Sequence, residues 1–150
     1  MNYKIISGGQ TGADQGGLKG AKESGFETGG WAPYKFLTEI GYNKDLKLIY
    51  NLKDSYKGYK DRTYMNVRDS DITLWFGNTD SSGYYATKKA CLKNKKQIIV
   101  IKEHMPCDIA RILKKNKSYI INIAGNRESH NAGIQERVRI FIKELCRELI

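Results

Sequence analysis

Four short apolar runs, at residues 3–7, 72–76, 97–102 and 119–124, alternate along the chain with stretches of helical period. Runs of this length are expected of strands buried on both faces, and Ile98-Ile99-Val100-Ile101 and Tyr119-Ile120-Ile121-Asn122-Ile123 are the clearest. The intervening patterns predict helices over about 13–25, 61–70, 84–95, 107–116 and 132–149. In the last of these, Ile134, Val138, Phe141, Ile142 and Leu145 form one apolar face. Such alternation requires crossover connections, hence a mainly parallel sheet with helices on both faces: a three-layer α/β sandwich.

No linker, repeat or low-complexity tract divides the chain, so residues 1–150 read as one domain, long enough to bury roughly 70% of its unfolded surface without covalent staples. Cys91, Cys107 and Cys146 form no CxxC pair and are odd in number, which argues for reduced thiols and a cytoplasmic protein. There is no basic and apolar leader, and no apolar run of bilayer length, so no membrane partner is expected. His104 and Cys107 lie three apart without the further ligands zinc needs, so no protein-ligated metal is expected. The net charge of +10 points to anionic partners: phosphorylated small molecules, nucleic acid or acidic lipid. The lysine clusters at 93–96 and 114–117 fall at predicted helix ends, where cations complement the helix dipole, so charge alone identifies none of these.

A parallel sheet gathers the loops that follow its strands on one edge, where open sheets bind ligands. The first such loop is Ser7-Gly8-Gly9-Gln10-Thr11-Gly12-Ala13-Asp14. Its glycines permit tight turns and close approach, and the amides of the helix start that follows favour an anion. The spacing fits neither the dinucleotide fingerprint nor the Walker loop. Gly8, Gly9, Gln10, Thr11 and Gly12 are therefore expected to cradle a phosphate beside Asp14; the structural alternative is a turn capped by Thr11 with Asp14 as its capping-box partner.

The second loop, Gly29 to Pro33, presents Trp31 either to a base or pterin or to the core. The third, Gly77 to Gly83, offers hydroxyls and a second helix start at Ser82 and Gly83, although a plain N-cap region has the same composition. The fourth, Gly125-Asn126-Arg127-Glu128-Ser129, places the planar fork of Arg127 where phosphate is favoured, unless Arg127 serves a surface ion pair. Glu128 reads as an acceptor for a ligand hydroxyl or as the acid holding Arg127, with Ser129 and His130 beside it. On the 61–70 helix, Arg62, Asn66 and Asp69 or Ser70 share a face suited to a pocket wall. Residues 33–60, with Tyr34, Tyr42, Tyr50, Tyr56 and Tyr59 among lysines, carry no sustained period and read as a lid or an oligomer contact.

Ser-Gly-Gly-Gln-Thr-Gly-Ala-Asp at 7–14, Gly-Trp-Ala-Pro at 30–33, Arg-Thr-x-x-Asn-Val-Arg-Asp-Ser-Asp at 62–71 and Asn-Ile-Ala-Gly-x-Arg-Glu-Ser at 122–129 occur in this order. With these motifs the chain resembles the putative molybdenum carrier family, the circularly permuted YpsA branch of the SLOG superfamily. The resemblance implies a Rossmann-like fold, pocket residues at the strand ends and a homo-oligomer. Two departures stand out. Asn126 replaces a proline of related carriers, which predicts a looser fourth loop, and Tyr84 replaces a small residue, which predicts a bulky ring near the third loop's anion position.

The leading expectation is a non-catalytic carrier of a phosphorylated heterocycle, either the molybdenum cofactor as cargo or a nucleotide derivative. Arg127 clamps the phosphate and Trp31 contacts the ring in this reading. One alternative is a nucleotide N-glycosidic hydrolase similar to the Lonely Guy phosphoribohydrolases. Their loop carboxylate is replaced here by Lys88 and Lys89, leaving Glu128 as the acid. A sensor for a nucleotide signal is another; single-stranded nucleic acid, which would use the charge and the tyrosines, is disfavoured.

Overall fold

The computed structural model describes residues 2–150. The main elements are, in chain order, β1 (Lys4–Ile6), α1 (Ala13–Glu23), β2 (Glu27–Gly29), β3 (Trp31–Ala32), β4 (Leu37–Thr38), β5 (Gly41–Tyr42), α2 (Asp45–Leu48) and β6 (Lys53–Asp54). They continue with α3 (Tyr59–Asp69), β7 (Ile72–Phe76), α4 (Ser82–Asn94), β8 (Gln97–Ile101), α5 (Pro106–Asn116), β9 (Ile120–Gly125) and α6 (Ile134–Leu149). Five strands form one parallel sheet in the order β2-β1-β9-β7-β8. Counted with β9 first, that order reads 3-2-1-4-5, the Rossmann arrangement with its first strand–helix unit moved to the end of the chain.

The period-2 alternation of the strands sorts their side chains between two helical layers. Ile99 and Ile101 of β8 join Ile5, Ile121 and Ile123 against α5 and α6. Ile98 instead packs with Val67 of α3 and Ala90 and Cys91 of α4. The expected three-layer sandwich is therefore present, with element ends within a few residues of the predicted ones. β2 was not foreseen as a strand, because Glu27-Thr28-Gly29 contains no apolar run; its pairing with β1 holds it in the sheet. Among the described residues no helix is long and apolar enough to cross a membrane.

α1 is a poor helix by composition, since Gly16, Gly17 and Gly20 each disfavour it by up to about 1 kcal/mol relative to alanine. The compensation is proximity. A Cβ at Gly16 or Gly20 would run into the carbonyls of Gln135 and Arg139, so α1 and α6 pack backbone to backbone. This close crossing sets the start of α1 against the loop that precedes α6, and thereby joins the first and fourth loops.

Residues 33–60, which carry no sustained period, contain the β4–β5 hairpin, the single turn α2 and β6, which pairs with β3. Leu46 and Leu52 anchor the segment on Leu18 and Ala32. Lys35, Phe36, Asn51 and Tyr56 take left-handed backbone conformations, which are strained for side-chain-bearing residues. Asp54 steadies two of them by accepting the amides of Lys35 at 3.0 Å and Tyr56 at 2.7 Å. No sustained period encodes such a path, because its elements are only two to four residues long and are joined by these left-handed turns.

Candidate anion-binding cleft

A cleft of about 260 Å³ opens at the carboxyl ends of β7 and β9, floored by Trp75, Ala124 and Gly125. These are the strands between which the Rossmann order reverses, the position where open α/β sheets take ligands. Gln10 and Asp14 form one wall, α3 brings Tyr59, Lys60 and Arg62, and α4 begins opposite with Ser82 and Gly83. Arg127 and His130 complete the rim.

The glycine loop does not offer the free amides expected of it, because the protein fills it with its own acceptors. The amide of Gln10 donates to Asp14 Oδ2 at 3.1 Å, that of Gly9 to Ser7 Oγ at 3.3 Å and that of Thr11 to Gln10 Oε1 at 3.1 Å. The amide of Gly12 donates to Gln135 Oε1 at 2.9 Å and that of Ala13 to the Asn126 carbonyl at 3.1 Å. Gly8 lies against the Arg62 guanidinium, and Gly9 and Gly12 have φ of 81° and 84°. A Cβ on Gly12 would meet the carbonyl of Asn126 and the amide of Glu128, so this glycine serves the contact between loops. The anion inside the first loop is thus the Asp14 carboxylate, which Arg62 pairs at 3.5 Å. Burial pushes the Asp14 carboxyl above its ordinary range, against the opposing pull of Arg62, the Gln10 amide and Arg127.

The start of α4 differs. Ser81 caps the helix by accepting the Tyr84 amide at 3.2 Å. The first amides, on Ser82 and Gly83, come too early for an intrahelical acceptor, and both residues line the cleft together with Lys60, Arg62 and Arg127. Among the described residues neither Lys60 nor Arg127 takes part in an ion pair, and the one carboxylate lining the cleft is already paired with Arg62. The guanidinium carbons of Arg62 and Arg127 each lie 5.7 Å from the centre of the Tyr59 ring, which therefore helps to hold both. Two buried donors on the walls, Gln10 Nε2 and Arg62 Nε, have no acceptor within the protein. A buried donor without a partner destabilises by about 1–3 kcal/mol, so both are costly to the fold as they stand.

Other expected site residues are placed elsewhere. Trp31 is turned away into a separate depression beside Lys4 and Lys53, its Nε1 donating to Asp69 at 2.8 Å. Asn66 is buried and clamps the Trp31 backbone, accepting its amide at 2.8 Å and donating to its carbonyl at 3.0 Å. Glu128 neither lines the cleft nor pairs with Arg127: it accepts the amides of Gly133 at 2.6 Å and Gln135 at 3.0 Å at the start of α6. Ser129 and Thr11 both donate to Glu39, and Thr11 Oγ1 accepts the Glu128 amide at 3.3 Å.

The two departures from the family pattern also turn out differently from expectation. Asn126 tightens the fourth loop: its Oδ1 accepts the Asn78 amide at 2.7 Å, and its own amide, which proline lacks, donates to the Phe76 carbonyl at 3.1 Å. Tyr84 swings out of the cleft and packs edge-on against Trp75, 5.3 Å between ring centres. Sequence reasoning missed Glu39, Tyr59 and Lys60, all in the segment without a period. Tyr59 and Lys60 were within reach of it, since they precede Arg62 by a single helical turn. Among the described residues no three His, Cys, Asp or Glu side chains gather to hold a metal ion.

A search among curated proteins gives no match. A crystal structure of a putative molybdenum carrier protein from Syntrophus aciditrophicus superposes with a TM-score of 0.83 at 30% identity, covering 97% of this chain and 94% of that one. Residues 5–146 match the circularly permutated YpsA SLOG family. That match and the shifted Rossmann strand order agree: the chain belongs to the circularly permutated YpsA SLOG family.

Proposed function

We propose that the protein is a carrier of a small phosphorylated ligand, held with its phosphate at the start of α4 between Arg127 and Lys60. The observation that carries this reading is the cleft itself. Two cations without ion-pair partners, Lys60 and Arg127, line one cleft with the first residues of a thirteen-residue helix at the switch point of a Rossmann-like sheet. The phosphate site thus belongs to the third loop, and the glycine loop builds the wall behind it. Gln10 Nε2 and Arg62 Nε supply further donors for acceptors on the ligand.

Small-molecule sites commonly span roughly 300–1,000 Å³, and the cleft, at about 260 Å³, lies just below that range. Being open on one side, it can take a phosphate and the part of a heterocycle next to it, with the remainder of the ligand outside the cleft. The Syntrophus aciditrophicus protein is described as a putative molybdenum carrier, which makes the molybdenum cofactor one candidate cargo and a nucleotide derivative the other. A glycosidic hydrolase would need an acid at the ligand, whereas Glu128 is bound to the amides of Gly133 and Gln135.

Native mass spectrometry of gently purified protein, followed by heat release of whatever it holds, tests the reading. A pterin or a nucleotide bearing phosphate is expected. A protein that arrives empty and gives no calorimetric response to phosphate, nucleoside monophosphates or molybdate would overturn it.

A further inference from the structure

Glu39 stands in the segment that no sequence pattern explained, at the tip of the β4–β5 hairpin. The hairpin is closed locally: Leu37 faces Tyr42, Thr38 faces Gly41, and Thr38 Oγ1 donates to the Gly41 carbonyl at 2.7 Å. Its strands pair with each other and with no other strand. Ile40, next to Glu39, is 83% exposed and Tyr42 is 66% exposed, so apolar burial does not fasten this tip to the body.

Glu39 does. One carboxylate oxygen accepts the hydroxyl of Thr11 and the amide of Ser129, the latter at 3.2 Å, and the other accepts the hydroxyl of Ser129. The Glu39 amide donates to Gln10 Oε1 at 2.8 Å. One residue therefore joins the hairpin to the first and fourth loops, across sequence separations of 28, 29 and 90 residues.

The consequence for the cleft follows from hydrogen-bond capacity. Gln10 Oε1 accepts two amides, from Thr11 and Glu39, which fixes the carboxamide with its oxygen toward the hairpin. Its Nε2 is then the buried donor left without a partner, on a residue that lines the cleft. The same residue anchors Ser129, two positions after Arg127, and so fixes the loop that carries the guanidinium. Burial raises the Glu39 carboxyl, but hydrogen bonds from Ser129 and Thr11 and the charge of Arg127 outweigh it and hold the group below its usual range.

We infer that Glu39 is a positioning residue of the anion cleft, setting the Gln10 donor and the Arg127 loop and coupling the hairpin to ligand occupancy. This rests on the proposed reading of the cleft. Coupling between two sites is reciprocal, so a ligand that engages Gln10 and Arg127 also tightens the hairpin.

The test compares the wild type with Glu39→Ala, Glu39→Gln and Ser129→Ala, by hydrogen exchange of residues 37–42 and by calorimetric titration with inorganic phosphate. Loss of a charged hydrogen-bond acceptor predicts exchange faster by about tenfold to a hundredfold in Glu39→Ala, and phosphate affinity lower by about tenfold. Glu39→Gln, which keeps an acceptor for the hydroxyls, restores part of both, and phosphate slows hairpin exchange in the wild type but not in Glu39→Ala. Should Glu39→Ala fail to fold, Ser129→Ala removes the hydroxyl contact to the same carboxylate and is expected to move both readouts in the same direction, by less. Phosphate binding by Glu39→Ala equal to that of a binding wild type overturns the inference. Absence of phosphate binding in the wild type overturns the proposed function instead, and unchanged hairpin exchange in Glu39→Ala removes the latch on its own.

Discussion

Two loops of this molecule leave a parallel strand, carry glycine and hydroxyl residues and start a helix, yet they stand in opposite states. In Ser7–Asp14 the amides of residues 9–13 already donate to Ser7, Asp14, Gln10, Gln135 and Asn126. At the start of α4 the amides of Ser82 and Gly83 have no intrahelical acceptor, and these residues line one cleft with Arg127 and Lys60. Glycine content therefore marks a close approach of backbone without saying what approaches. In the first loop it is the protein's own Asp14 and the neighbouring loop; at α4 the account assigns it to a ligand.

The sharpest way to break this comparison is to remove the internal anion. Asp14→Ala leaves a largely buried Arg62 and the Gln10 amide without their acceptor, and a loss of about 3 kcal/mol in urea unfolding is expected. Arg127→Ala is the counterpart at the other loop. It should leave unfolding nearly unchanged while weakening phosphate binding by about tenfold to a hundredfold, since a charge-assisted bond contributes roughly 1.5–3 kcal/mol.

The glycines sharpen the same contrast. Gly12→Ala puts a side chain into a left-handed position against Asn126 and should destabilise by about 2 kcal/mol. Gly83→Ala meets only Trp75, at 3.6 Å, and should leave stability unchanged or raise it by up to about 1 kcal/mol, as alanine favours a helix. Any effect of Gly83→Ala on phosphate affinity then reports crowding of the ligand and not damage to the fold.

The smallest effect concerns pH. Glu39 is held below its usual range in the folded protein, so the unfolded chain binds more protons as the solution is acidified. The contribution of the latch is full above the ordinary glutamate value and disappears as pH falls through the lowered one. Hairpin protection factors, in which the intrinsic base-catalysed exchange rate is divided out, should be flat across neutral pH and fall only in acid. Release already at neutral pH would contradict the electrostatic account of Glu39.

The sheet and the larger helices were legible because their signals are local: Ile72–Phe76 is apolar at every position but Thr73, and α6 carries one apolar stripe. The cleft was legible to the extent that parallel topology dictates it, which brought Gln10, Arg62, Ser82, Gly83, Gly125 and Arg127 to one place. What sequence did not reveal was the state of each donor. Whether the Gly12 amide is free depends on Gln135, and whether Glu128 reaches a ligand depends on two amides at the start of α6. Asn126 shows the same limit, because its bonds to Asn78 and Phe76 exist only once the strand ends are side by side. Glu39 was invisible for a further reason: its partners are 28 and 90 residues away, and its own segment has no period.

A crystal of the protein soaked in tungstate, an oxyanion located directly by its anomalous scattering, tests the central claim. The account predicts a tungsten peak within hydrogen-bond reach of Arg127 and the Ser82 and Gly83 amides. A peak inside the Ser7–Gly12 loop, with the start of α4 empty, would contradict it.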